Sequence, residues 1–188
     1  MNKEEIIAAL NNTADLLEIN GENPFRIRAY NRAVELISSS SLTAVEFLNK
    51  CRAGEVSGIG PQLLEAMEMI LERGTFSLLE ELKAKYPKGI LELFAIRGLG
   101  AKKIGRLYKE LGIGDLGTLK QACLEQKLQT LKGFSSKSEA SILEAISEYA
   151  RNSLLFLFRA ANNQAIALKN ALANCKEVRQ VEIVGTLS

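Results

Sequence analysis

Histidine and tryptophan are both absent from this chain of 188 residues. Without histidine, the protein lacks the side chain that most often acts as a general acid or base near neutral pH, and histidine-containing zinc sites are excluded. Its three cysteines, Cys51, Cys123 and Cys175, are far apart and do not have the spacing of a metal site. Their odd number and separation favour reduced thiols in a cytoplasmic protein.

No apolar run approaches the length of a membrane-spanning helix, and the N-terminus does not have the pattern of a signal peptide. We therefore expect a cytoplasmic monomer with no membrane partner. A net charge of +2 is too small to predict a nucleic-acid partner by itself. The charge is uneven, however, because residues 1–90 carry 10 Lys/Arg against 13 Asp/Glu and residues 91–188 carry 14 against 9.

The chain has only three prolines, and most of it has the periodicity of amphipathic helices. Pro24 and Pro61 stand where the first residue of a helix would lie, and Gly21 and Gly74 stand where helices would end. The pattern predicts an all-α fold. After a first helix that stops at Gly21, it predicts helices over about 24–37, 42–51, 61–74, 75–86, 89–95, 101–111, 117–125, 136–150 and 162–174. A strand is predicted only in the tail, from Val178 to Val184.

Three short turns share a glycine pattern, and each is followed by a predicted helix. Their sequences are Val-Ser-Gly-Ile-Gly at 56–60, Ile-Arg-Gly-Leu-Gly at 96–100 and Leu-Lys-Gly-Phe-Ser at 131–135. Glycines such as Gly58, Gly60, Gly98 and Gly100 allow positive φ, and the helix that follows offers free N–H groups to a phosphate. The repeat predicts tandem helix-hairpin-helix units that bind a nucleic-acid backbone. Alternatively, the glycines only permit tight turns between helices.

Basic residues accompany the second and third of these hairpins. Lys102, Lys103 and Arg106 lie on the first two turns of the helix after the second hairpin, where cations oppose the helix dipole. Neutralisation of phosphate explains that placement, although an ordinary solvated face is the alternative. Lys132 and Lys137 flank the third hairpin.

A further basic cluster lies on the predicted second helix, at Arg26, Arg28 and Arg32. A separate apolar face of that helix is predicted from the spacing of Phe25, Ala29, Ala33 and Leu36. The arginines are candidate phosphate ligands, or they pair with the acidic residues nearby.

Taken together, these motifs resemble the N-terminal part of a bacterial family X DNA polymerase, the family of DNA polymerase beta. The resemblance rests on Asn-Pro-Phe-Arg-Ile-Arg-Ala-Tyr at 23–30, the first two hairpins and Val-Glu-Ile-Val-Gly-Thr-Leu-Ser at 181–188. It implies three parts. Residues 1–86 form a small DNA-binding domain with the first hairpin, residues 87–150 form a fingers subdomain with the second and degenerate third hairpins, and residues 151–188 begin the nucleotidyltransferase palm.

The resemblance also implies which activities to expect. Gly185, Thr186 and Ser188 correspond to the start of the family's nucleotide-binding turn, and the aspartates that bind Mg²⁺ would follow only in a full-length parent. We therefore expect no catalytic residue in this chain and no polymerase activity from it. The lysine that forms a Schiff base in DNA polymerase beta corresponds to Ala66, which argues against an abasic-site lyase, and Gln62 replaces a second lysine of that pocket.

Family members also bind K⁺ or Na⁺ at their hairpins through backbone carbonyls. The matching positions are Gly54, Val56 and Ile59 in the first hairpin and Phe94, Ile96 and Leu99 in the second. The cation would bridge these carbonyls to a DNA phosphate.

The function predicted from the sequence is sequence-nonspecific binding of gapped, nicked or primer-template DNA, as part of a family X DNA polymerase used in repair. Two alternatives remain open at this point. One is a free-standing tandem helix-hairpin-helix protein of recombination or excision repair, and the other is the abasic-site lyase.

Overall fold

The computed structural model describes residues 2–173 and Glu182, and all of its regular structure is helical. Eight α-helices occur in this part of the chain, joined by turns and by two 3₁₀ segments. The helices are α1 Lys3–Asn20, α2 Pro24–Ser39, α3 Ala44–Arg52, α4 Pro61–Arg73, α5 Ser77–Lys85, α6 Ala101–Leu111, α7 Leu116–Leu124 and α8 Ser136–Ala173. The 3₁₀ segments are Lys88–Ala95 and Leu128–Thr130.

The predicted all-α fold is confirmed, with two differences in its elements. The stretch predicted as a helix over 89–95 is a 3₁₀ segment, Lys88–Ala95. The helices predicted over 136–150 and 162–174 are one continuous helix, α8. The predicted strand from Val178 to Val184 lies outside the described residues except for Glu182, which is not in a strand.

The chain divides into two compact units, Met1–Ile142 and Leu143–Ser188. The sequence-based division at 86 and 150 remains a prediction. In the first unit, α1 is the central helix and contacts α2, α4, α5, α6 and the first 3₁₀ segment. Its buried side chains are Ile6, Ala9, Leu10, Thr13, Ala14, Leu16, Leu17 and Ile19.

A buried threonine on α1 and a glycine on α6 lie where α1 packs in the centre of the first unit. Thr13 is fully buried, and its hydroxyl donates a hydrogen bond to the Ala9 carbonyl at 2.8 Å, so its polar atom is satisfied. Gly105 on α6 lies against α1, where an added Cβ would be 3.6 Å from the Ile19 carbonyl oxygen. A methyl group at this position would make ordinary van der Waals contact with α1, so the two helices pack closely here without a requirement for glycine.

In the second unit, the described backbone is helical up to Ala173. Several large apolar side chains of this unit are exposed, namely Leu154, Leu155, Ile166 and Leu168. Across residues 2–173, no helix combines the length and apolar character needed to cross a membrane.

Asp15 on α1 makes the stability of the first unit depend on pH. Burial, together with the nearby Glu18, raises the pKa of Asp15 from 3.8 to about 6. The folded state therefore binds more protons than the unfolded state between these values, and stability falls as pH rises through that window. We expect Asp15→Asn to remove this loss of stability at high pH. The variant should be more stable than wild type at pH 7.5 by about 1 kcal/mol, a value discounted for partial exposure.

This effect is measured as the thermal midpoint of the Asp15→Asn variant at high and low pH. An increase of roughly 2–4 °C is expected at pH 7.5, and none below about pH 4. The exposed Glu81→Gln serves as the control for loss of a carboxylate. An equal increase at both pH values would contradict the assignment.

Candidate nucleic-acid interface

The three hairpins have the same backbone conformation at their first glycine. The φ angles are +97° at Gly58, +91° at Gly98 and +93° at Gly133. Positive φ at this point is typical of a type II turn, in which glycine occupies the third position. The third hairpin, which lacks the second glycine, therefore shares the backbone conformation of the first two at this residue.

Direct hydrogen bonds close two of these turns. The Leu99 N–H donates to the Ile96 carbonyl at 3.1 Å, and the Phe134 N–H donates to the Leu131 carbonyl at the same distance. The side chains of all four residues are buried. Each turn is thus anchored by apolar residues on either side of its exposed glycine.

The helices that follow the first two hairpins begin with amides that no side chain caps. Gly60 is the N-cap of α4 and Gly100 is the N-cap of α6, and neither has a side-chain hydrogen bond to the first turn. These ends combine free N–H groups with the positive end of the helix dipole, as an anion site requires. Because Pro61 has no backbone N–H, α4 offers one amide fewer than α6.

The helix after the third hairpin begins differently. The Ser135 hydroxyl accepts a hydrogen bond from the Ser138 N–H at 3.2 Å, and the Ser138 hydroxyl accepts one from the Ser135 N–H at 2.8 Å. This reciprocal cap resembles a capping box and occupies donors that remain open in α4 and α6. The start of α8 is therefore a poorer site for an anion.

Arg32 of α2 lies over the first hairpin. A Cβ added to Gly58 would be only 2.7 Å from the Arg32 Nε. The sequence places no cation in the opening turns of α4, so α2 supplies the positive charge at this hairpin. That placement could not be found from the sequence, because the two residues meet only through packing of separate elements.

Two of the predicted basic residues on α6 bind the hairpins themselves. The Lys103 ammonium donates to the Gly98 carbonyl at 2.8 Å. The Arg106 guanidinium donates to the Lys132 carbonyl of the third hairpin and also pairs with Glu110, at 2.9 Å from its Nε. These side chains already have partners within the fold.

The remaining predicted lysines are open to solvent. Lys102, Lys132 and Lys137 are exposed. Within the described part of the chain, none of their ammonium groups has an ion-pair or hydrogen-bond partner. Lys102 lies in the first turn of α6 beside the uncapped amides, so it is the cation best placed to meet a phosphate there.

A cleft of about 220 Å³ contains Arg26 and the residues of the predicted lyase pocket. Its lining includes Arg26 and Tyr30 from α2 and Gln62, Glu65 and Ala66 from α4. Arg26 also pairs with Glu22 at 3.2 Å. No lysine is among the described residues that line this cleft. The cleft therefore offers the Arg26 guanidinium to a phosphate but no amine for a Schiff base.

Of the apolar face predicted for α2, only Ala33 is buried; Phe25 and Ala29 are exposed and Leu36 is half-buried. The Phe25 side chain is 74% exposed, and the Arg28 guanidinium lies 4.5 Å from the centre of its ring. The buried face consists of Tyr30, Ala33 and Ile37 instead. The three arginines of α2 are thus separated, with Arg26 at the cleft, Arg28 on Phe25 and Arg32 over the first hairpin.

The proposed carbonyl ligands of a monovalent cation surround the first two hairpins, and their role remains a prediction. Ile96 contributes a carbonyl that already accepts the turn hydrogen bond, and a carbonyl oxygen has a second lone pair for a cation. Gly54, which has a φ of +77°, lies just beyond the end of α3. The predicted nucleotide-binding residues Gly185, Thr186 and Ser188 lie outside the described residues.

Comparison with known families agrees with this geometry. Residues 1–76 match a helix-hairpin-helix domain, and residues 53–111 and 90–148 match a SAM-like helix-hairpin-helix tandem. The chain belongs to the helix-hairpin-helix tandem family. The two tandem matches overlap and together include all three hairpins.

This chain is also similar to a much longer curated protein. Over 148 residues, it is 38% identical to the DNA polymerase/3'-5' exonuclease PolX of Bacillus subtilis (strain 168). The match covers 79% of this chain and 25% of that relative, so the chain spans about a quarter of the relative's length. The predicted resemblance to a bacterial family X DNA polymerase is confirmed.

Proposed function

We propose that this chain binds gapped or nicked DNA without reading its sequence, as the DNA-binding region of a family X DNA polymerase that acts in repair. The observation that carries the proposal is the pair of uncapped helix starts at α4 and α6, each behind a glycine turn and each close to a cation. Arg32 supplies the cation at the first site and Lys102 at the second. Contacts through amides and single cations bind phosphates in any sequence.

In this proposal, the cleft between α2 and α4 accounts for the preference of the protein for gapped DNA. Arg26 is 48% exposed at this cleft and can turn from Glu22 to an incoming anion. A 5′-phosphate at the end of a downstream strand carries more charge than an internal phosphate and would be the best ligand for this arginine. The buried Ala66 at the cleft supports binding of that end without lyase chemistry.

A competition assay tests the proposed function. The full chain is bound to a labelled gapped duplex with a 5′-phosphate and is challenged with unlabelled gapped or intact duplex of equal length. We expect the gapped duplex to compete at least tenfold better, and two unrelated base sequences to compete equally. Equal competition by intact and gapped duplex would contradict the preference for gaps.

We further propose that K⁺ or Na⁺ joins the hairpin carbonyls to a phosphate when DNA is bound. Carbonyl dipoles of Gly54, Val56 and Ile59, and those of Phe94, Ile96 and Leu99, would supply the protein ligands. Replacing K⁺ by tetramethylammonium at equal ionic strength should then weaken binding of gapped DNA. Unchanged affinity would contradict a bound monovalent cation.

A further inference from the structure

Arg106 connects helix α6 to the third hairpin. Its Nη1 group donates to the Lys132 carbonyl, while its Nε group, 2.9 Å from Glu110, is held on the same helix. A Cβ added to Gly133 would lie 3.7 Å from the same Nη1 atom. The guanidinium is therefore packed against the turn instead of extending away from it.

Lys103 connects the second hairpin to the third in a similar way. Its ammonium is 2.8 Å from the Gly98 carbonyl oxygen and 5.6 Å from the centre of the Phe134 ring. The Phe134 ring is 6% exposed, so this cation–π contact occurs at a firmly placed side chain. One lysine thus contacts both glycine turns.

The third hairpin is held equally firmly from its other side. Glu139 on α8 is 4% exposed, and its carboxylate accepts hydrogen bonds from the Leu128 N–H at 3.0 Å and from Gln129 at 2.5 Å. These contacts fix the 3₁₀ segment that leads into the turn. Ser135 caps the helix that leaves it.

From these contacts we propose that the third hairpin supports the second instead of binding a phosphate, and that Arg106 is the positioning residue that joins the third hairpin to α6, the helix behind the second. This inference rests on the proposed DNA binding of the second hairpin. It changes the role expected for Arg106 from the sequence, which was direct contact with phosphate. Lys102 remains the free cation in the first turn of α6, while Arg106 keeps the α6 amides and the second turn in place.

The proposal is tested by separating charge from position at residue 106. Arg106→Lys keeps the charge, but a single ammonium cannot bridge Glu110 and the Lys132 carbonyl as the guanidinium fork does. Arg106→Gln removes the charge. We expect both variants to bind gapped DNA roughly three- to tenfold more weakly, because one hydrogen-bonded link is lost in each. We also expect both to keep the wild-type slope of log affinity against log salt.

Two further variants calibrate that slope. Lys102→Gln removes a proposed phosphate contact and should lower the magnitude of the slope by about 0.9. Lys109→Gln removes an exposed charge in the last turn of α6 and should change neither affinity nor slope. The slope distinguishes a positioning role from a phosphate contact, which a change of affinity alone would not.

A measurement without DNA tests the link itself. Amide hydrogen exchange at Phe134, whose N–H closes the third turn, should be faster in both Arg106 variants than in wild type. A lower slope in Arg106→Gln, together with wild-type affinity in Arg106→Lys, would show a phosphate contact and overturn the proposal. Wild-type affinity and exchange in both variants would also overturn it. If wild type binds no DNA, the proposed function fails, and exchange separately reports whether Arg106 holds the turn.

Discussion

The dissociation constant for gapped DNA is expected to rise roughly 150-fold when salt increases from about 50 to about 200 mM. Binding through about four phosphates releases the counterions condensed on them, which gives a log–log slope of about −3.6. The contacts assigned to this effect come from Arg26, Arg28, Arg32 and Lys102. A large slope is expected even though the net charge is only +2, because the cations are local to the hairpins and the cleft.

This expectation is measured by fluorescence anisotropy with a labelled gapped duplex over a series of salt concentrations. Lys109→Ala removes one exposed charge far from the uncapped end of α6 and should leave the slope unchanged. Lys102→Ala should reduce its magnitude by about 0.9. A slope near zero for wild type would mean that phosphates do not provide the binding energy.

The second large effect is expected at the cleft between α2 and α4. Arg26→Ala should weaken binding of a gapped duplex with a 5′-phosphate about tenfold and barely affect the duplex with a 5′-hydroxyl. A charge-assisted hydrogen bond to a terminal phosphate accounts for a loss of about 1.5 kcal/mol. The preference for the phosphorylated end should therefore nearly disappear in this variant.

Arg28→Ala is the matched control for the cleft. It removes the same charge from the same helix, but Arg28 lies on the Phe25 ring and is not among the described residues that line the cleft. We expect Arg28→Ala to weaken binding of both duplexes alike. Arg26→Ala that retains the full preference for a 5′-phosphate would show that the cleft does not bind the strand end.

The sequence predicted the hairpins because their signal is local. A glycine at positive φ is followed two residues later by the N-cap of the next helix, so five consecutive residues, as at 96–100, hold the whole pattern. The end of α1 at Gly21 and the start of α2 at Pro24 were predictable for the same reason. At such positions, a glycine or proline within a few residues determines where the helix begins or ends.

The sequence-based predictions were wrong where the buried face of a helix depends on packing, or where no proline or glycine marks the end of a helix. Phe25, Ala29, Ala33 and Leu36 have helical spacing, but the residues that α2 buries are Tyr30, Ala33 and Ile37. The division of α8 was wrong because residues 151–161 contain neither proline nor glycine to end a helix. Hydrophobic periodicity also did not distinguish the 3₁₀ segment Lys88–Ala95 from a short α-helix.

The candidate site shows the same limit. Its residue types were predictable, but the partners of those residues were not. Arg32 reaches the first hairpin from α2, and Arg106 reaches the third hairpin from α6, across 26 positions of sequence. Sequence spacing gives the helix face on which a cation lies, whereas only the fold shows whether another group already binds it.

The central claim is that the uncapped amides behind the first two hairpins bind DNA phosphates, and backbone amide NMR tests it most directly. We expect titration with a gapped duplex to produce the largest amide shifts at Gly58–Gly60, at Gln62 and at Gly98–Lys102. The amides of Ser136–Ser138, where Ser135 caps the helix, should shift much less. Shifts that are largest at α8, or that avoid both uncapped helix starts, would contradict this account.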